Sequence, residues 1–217
     1  MGRSTRRSPA NIENSDFFKL SPLSSSFPEH IKTLLSSLGY SSLFPPQTEA
    51  IEKGALERKN LLVSTPTASG KTLIALMAAL DMILKNGKKV VYLSPLRALA
   101  YEKKEEFDCL TEFVKSDGTR IRVLISTGDY DVGGNSLRGA DIIILTNEKF
   151  DSILRHGVSW LEEVGLFVVD EIHLVGDSHR GPSLEGVLAN ILTQAEDAQV
   201  IALSATITND DELAKWL

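Results

Sequence analysis

Short apolar runs recur along the chain, each followed at once by polar or small residues: Leu61-Leu62-Val63-Ser64, Lys89-Val90-Val91-Tyr92-Leu93, Ile121-Arg122-Val123-Leu124-Ile125, Asp141-Ile142-Ile143-Ile144-Leu145, Leu166-Phe167-Val168-Val169 and Val200-Ile201-Ala202-Leu203. Several are apolar throughout instead of alternating, the pattern of strands covered on both faces. Between them the apolar spacing becomes helical and predicts helices over residues 47–56, 71–85 and 98–115. Ahead of these, Ser26-Phe27-Pro28-Glu29 reads as a helix start, with Ile31, Leu34, Leu35 and Leu38 on one face and Gly39 as the stop. Strands alternating with helices predict an α/β fold, a mostly parallel sheet with helices on both faces. Residues 1–26, rich in Ser, Arg, Asn and Pro, read as a flexible leader before a single domain over residues 27–217.

Composition narrows the class. At 217 residues and 42% hydrophobic content the chain can bury one good core. No run approaches the roughly eighteen apolar residues of a membrane span, and no apolar segment follows the basic Arg3, Arg6 and Arg7. An intracellular location without membrane is therefore expected, cytoplasmic, or nuclear in a eukaryote. Cys109 is the only cysteine, so an internal disulfide and a cysteine-built zinc site are both excluded, and a packed structural thiol is expected. A net charge of -6 argues against a surface that coats nucleic acid generally, so any such contact must be local.

The candidate chemistry follows the strands. Thr65-Pro66-Thr67-Ala68-Ser69-Gly70-Lys71-Thr72 stands between the apolar run ending at Ser64 and the helical Leu73-Ile74-Ala75-Leu76, the setting of a phosphate-cradling loop. Backbone N–H groups of Thr67, Ala68, Ser69 and Gly70 can wrap phosphate oxygens, Lys71 can neutralise the terminal phosphates, and the Thr72 hydroxyl can bind magnesium. The strict pattern has glycine where this chain has Thr65, and an incidental small-residue turn is the competing reading. Beyond the run ending at Val169 come Asp170 and Glu171. In open α/β sheets ligands sit past the carboxyl ends of the strands. Asp170 is placed to hold magnesium and Glu171 to orient or deprotonate an attacking water; the alternative is two acidic residues attracted to a helix N-terminus. His173 and His179 lack metal-site spacing, and His173 is expected to hydrogen-bond across the site. The glycine-rich 128–134 segment has no dinucleotide spacing and reads as a surface loop.

Taken in order, Phe44-Pro45-Pro46-Gln47, Gly70-Lys71-Thr72, Ser94-Pro95-Leu96-Arg97-Ala98-Leu99-Ala100, Ser126-Thr127-Gly128-Asp129, Thr146-Asn147-Glu148-Lys149, Asp170-Glu171-Ile172-His173 and Ser204-Ala205-Thr206 resemble the first RecA-like lobe of a superfamily-two helicase, a P-loop NTPase fold. The Pro-Leu-Arg-Ala-Leu-Ala, Thr-x-Glu-Lys and Asp-Glu-Ile-His variants resemble the Ski-like branch and, within it, the archaeal Hjm and HelQ type of DNA repair helicase. The resemblance runs from Phe44 to Leu217 and accommodates Thr65, since the family commonly carries another small residue there. It implies ATP and magnesium as cofactors, with Lys71, Asp170 and Glu171 catalytic. It implies that Phe44 and Gln47 meet the adenine, although Gln47 fits equally as a first-turn helix residue. Pro95, Arg97, Gly128, Thr146, Glu148 and Lys149 are implied to track one nucleic-acid strand; Thr146 also fits as a helix cap and Arg97 as a solvated charge. His173, Ser204 and Thr206 are implied to couple hydrolysis to strand movement. Arg180-Gly181-Pro182-Ser183-Leu184-Glu185 also fits the branch, without a chemical role.

For function, the resemblance implies the ATP-binding lobe of an ATP-dependent DNA helicase of 3′ to 5′ polarity acting at stalled forks on single-stranded or forked DNA. Its enzymes close over ATP with a second RecA-like lobe and accessory domains, which do not follow Leu217 here. An arginine from that lobe is worth about 10³ to 10⁵ in rate, so low hydrolysis and no unwinding are expected of this chain alone. A Ski-like RNA helicase lobe stays open, because phosphate contacts do not read the sugar. So do a P-loop NTPase of another class and a binding module without unwinding activity.

Overall fold

The computed structural model describes residues 21–22, 27–66, 69–128, 134–178, 181–205 and 213–214. In chain order its elements are β1 (Ser21–Pro22), α1 (Glu29–Ser37), β2 (Ser42–Leu43), α2 (Pro45–Glu52), β3 (Leu61–Ser64), α3 (Lys71–Asn86), β4 (Lys89–Ser94), α4 (Arg97–Phe107), β5 (Val123–Ser126), β6 (Ile142–Thr146), α5 (Asn147–His156), β7 (Val164–Val169), α6 (Gly181–Gln194) and β8 (Gln199–Ser204). Strands β3, β8, β7, β4, β6 and β5 lie side by side in that order, all parallel. The α/β class, parallel sheet and helices on both faces match the sequence reading.

The uninterrupted apolar runs follow from two cores. Val90, Tyr92, Ile142, Ile144, Leu166, Val168, Ile201 and Leu203 point into one, shared with α1, α2, α3 and α4. Their alternates Val91, Leu93, Ile143, Leu145, Phe167, Val169, Val200 and Ala202 point into the other, shared with α5 and α6. Because side chains alternate faces, a strand with two dry faces must be apolar at every position. Helix α3 is buried from Leu73 to Ile83, which includes Asp81; His30 Nε2 of α1 lies 2.8 Å from its Oδ1. A buried carboxylate requires such a partner.

Element ends depart from the sequence reading where backbone geometry intervenes. Helix α2 stops at Glu52 and not at residue 56, because Gly54 turns the chain with φ +105° and Ala55 N–H bonds back to the Ala50 carbonyl at 2.9 Å. Helix α4 stops at Phe107 and tightens into a 3-10 turn over Asp108–Glu112, which stacks the buried Phe107 and Leu110 three residues apart. Leu38 follows α1 and is 36% exposed, so it leaves the apolar face assigned to it. Strand β7 starts at Val164, earlier than read; a side chain at Gly165 would meet Lys88 Cβ at 2.6 Å and Met82 Sδ at 2.7 Å. Ser21 and Pro22 pair antiparallel with β2, so part of the segment read as leader joins the fold; residues 1–20 and 23–26 lie outside the described residues. Cys109 packs against the first core, and burial pushes its thiol pKa up, in keeping with a structural thiol.

Gly181 supplies a packing reason for the 180–185 segment. A Cβ there would stand 2.2 Å from the Val175 carbonyl oxygen, whereas one at the exposed Gly186 of the same helix meets nothing within 4 Å. Gly181→Ala is expected to cost about 1–3 kcal/mol by urea unfolding, and Gly186→Ala to raise stability by up to about 1 kcal/mol. Equal effects at the two positions would contradict this packing.

Candidate functional site

Parallel strands deliver the segments after them to one edge of the sheet, where the nominated residues that follow a strand and are described come together, with Gln47 joining them from α2. At the end of β3, Thr65 N–H reaches the Ser204 carbonyl of β8 at 3.3 Å, and the Thr65 and Ser69 hydroxyls meet at 2.6 Å. Gly70, with φ 78°, turns the loop into α3, whose N-terminus carries no side-chain cap. A Cβ on Gly70 would stand 2.2 Å from Gln47 Nε2, so glycine is favoured by φ and lets the Gln47 amide lie against the loop. Lys71 Nζ donates to the Thr65 carbonyl at 2.9 Å and the Pro66 carbonyl at 3.3 Å. Burial lowers the Lys71 pKa; Glu171 and Asp170 oppose the shift and Lys103 adds to it. These cations and carboxylates therefore share one electrostatic neighbourhood. Thr67, Ala68 and Thr206 lie outside the described residues.

Asp170 closes β7, with its N–H on the Leu93 carbonyl at 2.9 Å. Its Oδ1 accepts the Glu171 N–H at 3.0 Å and its Oδ2 accepts the Tyr92 hydroxyl at 2.7 Å. Glu171 itself holds a left-handed backbone, φ 51° and ψ 43°. Such a conformation costs a side-chain-bearing residue roughly 1–2 kcal/mol, and strain of this kind gathers at functional positions. His173 Nδ1 lies 3.1 Å from Glu171 Oε2, an ion-pair distance without hydrogen-bond alignment, and among the described residues this nitrogen has no hydrogen-bond partner across the site. Thr72 Oγ1 accepts from Lys103 Nζ at 3.0 Å, and Lys103 is also bonded to Glu106 at 2.8 Å. Ser204 is buried, and its hydroxyl has no hydrogen-bond partner among the described residues.

Gln47 is 1% exposed. Its carbonyl accepts the Phe44 N–H at 2.9 Å, closing the start of α2, and its amide donates to the Gly70 carbonyl at 3.2 Å. The helix-start reading is thus realised, and the same amide clamps the loop before α3.

The other half of the edge is a hollow of about 270 Å³ lined by Pro95, Leu96, Arg97, Thr127, Gly128, Thr146, Glu148 and Lys149. All six residues nominated for strand contact lie in it. Arg97 is exposed at the first position of α4, and Lys149 spans the hollow to donate to the Gly128 carbonyl at 2.8 Å. Thr146 Oγ1 accepts the Lys149 N–H at 3.2 Å, so its capping role is realised. The uncapped N-terminus of α4 and the Thr146-capped N-terminus of α5 therefore lie beside two cations and the Glu148 carboxylate, an arrangement that can receive phosphate.

Sequence reasoning missed Tyr92 and Lys103. A hydroxyl inside a fully buried strand was the available signal for Tyr92, because a buried phenol normally finds a partner; the charge-rich Glu102–Asp108 stretch offered none specific to Lys103. Among the described residues no group of three or more His, Cys, Asp or Glu side chains could hold a metal by itself. The donors present, a hydroxyl and a carboxylate, are hard oxygens of the kind magnesium takes together with substrate phosphates.

The DEAD/DEAH box helicase model matches residues 44–213. Over 189 residues the chain is 51% identical to the ATP-dependent DNA helicase Hel308 of Pyrococcus horikoshii and 50% identical to that of Pyrococcus abyssi, covering 87% of this chain and 25% of each relative. It thus spans about a quarter of the length of these curated relatives. Among solved structures it is similar to the DUF1998 helicase MrfA bound to DNA (TM-score 0.73) and to DNA and AMPPNP (0.74), at 29% identity over 92% of this chain and 29% of that one. If Glu171 is strained, Glu171→Gly should be more stable than Glu171→Ala by about 1 kcal/mol in urea unfolding, the reverse of a helical site; a more stable alanine variant would remove the strain.

Proposed function

Because the chain belongs to the DEAD/DEAH box helicase family, we propose that it is the ATP-binding lobe of an ATP-dependent DNA helicase. The observation that carries this reading is the division of one sheet edge into a phosphate-loop half and a strand-contact half, joined where β7 and β4 lie side by side. The relatives' names as DNA helicases, and a similar structure bound to DNA, support DNA over RNA. The finer assignment rests on the motif variants: a Ski-like enzyme of the Hjm and HelQ type, moving 3′ to 5′ on single-stranded or forked DNA at stalled forks. A second RecA-like lobe and accessory domains complete it.

The roles derive from the groups present. Uncapped N–H groups at the start of α3 and the Lys71 ammonium receive phosphate oxygens. Arriving phosphates take over the ammonium's bonds to two carbonyls, which are weaker partners for a cation than phosphate anions. Phosphate charge beside Lys71 restores its pKa toward the ordinary lysine value. Thr72 and Asp170 would hold magnesium, which supplies charge neutralisation on the β- and γ-phosphates when bound. Glu171 orients the attacking water, while Gln47, whose amide is bonded to Phe44 and Gly70, meets the base only by exchanging those bonds, with Phe44 at the start of the same helix. Arg97, Lys149 and the N-termini of α4 and α5 hold successive phosphates of one strand.

Two variants in the longer chain with its second lobe separate the halves. Glu171→Gln should keep nucleotide and strand binding while turnover falls about 10²- to 10⁴-fold. Arg97→Ala should keep nucleotide binding while weakening single-stranded DNA binding and lowering its log–log salt slope by about 0.7. Wild-type turnover in the first, or an unchanged salt titration in the second, would withdraw the assigned role; equal losses on DNA and RNA are expected of phosphate contacts.

A further inference from the structure

The partner of the Asp170 carboxylate comes from inside the sheet. Tyr92 stands in β4 opposite Val168 of β7, with both side chains in the first core. Asp170 comes two positions after Val168, and the Tyr92 hydroxyl, 2.7 Å from its Oδ2, reaches it from the dry side. The phenol is itself held, fully buried with its ring edge-on to Phe107 at a centroid distance of 5.3 Å. Its hydroxyl donates, and a carboxylate oxygen can only accept, so the direction of the bond is fixed. With the Glu171 N–H on Oδ1 at 3.0 Å, each carboxylate oxygen has one fixed donor. Each also retains a free lone pair.

We propose that Tyr92 is a positioning residue for the magnesium site: its buried hydroxyl holds the Asp170 carboxylate ready for the cation and apart from Lys71. Asp170 is 7% exposed, so a carboxylate released by Tyr92 cannot satisfy itself with bulk water. The Lys71 ammonium lies within its electrostatic reach. An Asp170 drawn to Lys71 would occupy at once the cation meant for phosphate and the anion meant for magnesium. Partners that orient metal-ligating groups typically carry about 10- to 100-fold in metal affinity. The inference rests on the nucleotide reading above and adds to it a residue in the middle of a strand, outside every motif that carried that reading.

The test is Tyr92→Phe, which removes one hydroxyl and keeps the ring. Binding of a fluorescent ATP analogue to this chain is titrated with magnesium, and repeated in EDTA. The magnesium midpoint is expected to rise about 10- to 100-fold, with binding in EDTA unchanged and the circular dichroism spectrum of the folded protein retained. In an Asp170→Ala background the same substitution should leave the titration unmoved, because the effect runs through that carboxylate. An unchanged midpoint in the single variant, a matching loss in EDTA, or a further shift in the Asp170→Ala background would each overturn the proposal. A wild-type chain without magnesium-dependent binding would instead bring down the nucleotide reading, and this inference with it.

Discussion

All six strands of the main sheet run the same way, and the rest of the molecule depends on that constraint. An apolar strand with helices on both faces cannot carry polar chemistry along its length, but the segment beyond its carboxyl end can. Six strands therefore deliver six polar segments to one edge. Their lateral order sorts those segments. Strands β3, β8 and β7 bring the phosphate loop, Ser204 and Asp170; β4, β6 and β5 bring Pro95 with Arg97, Thr146 with Lys149, and Thr127 with Gly128. The halves proposed for nucleotide and for strand contact are thus adjacent without sharing a loop.

The boundary between the halves falls at β7 and β4, which are hydrogen-bonded neighbours. The unit β4–α4 serves both sides. Its connecting turn and first helical residue line the hollow. Tyr92 before that turn bonds Asp170, and Lys103 after it bonds Thr72. Both groups assigned to magnesium therefore carry a hydrogen bond from the element that enters the strand cleft.

Strand positions were legible in the sequence because burial on two faces leaves a continuous apolar run, and the placement of candidate residues was legible where they stand just past a strand. Lys71, Asp170, Arg97 and Lys149 are of this kind. The helix ends were less so: Gly54 ends α2 through a left-handed turn, and α4 tightens into a 3-10 turn to bury Phe107 and Leu110 together. Gln47 showed its local helix-start bond in the sequence but not its reach to Gly70, 23 residues away. Tyr92 with Asp170 and Lys103 with Thr72 are separated by 78 and 31 residues, and only the sheet order brings them together. The strain at Glu171 has no sequence signal, since glutamate is not a residue type that marks a left-handed position and the φ is imposed by the chain around it.

The central claim is that the loop between β3 and α3 binds the phosphates of a nucleotide through Lys71. Its most direct test is calorimetric titration of this chain with magnesium and a non-hydrolysable ATP analogue, beside the Lys71→Ala variant. Saturable binding in the wild type, lost in the variant, is the expected result. Binding of equal strength in both would show that the nucleotide sits elsewhere, and no binding in either would contradict the claim for this lobe.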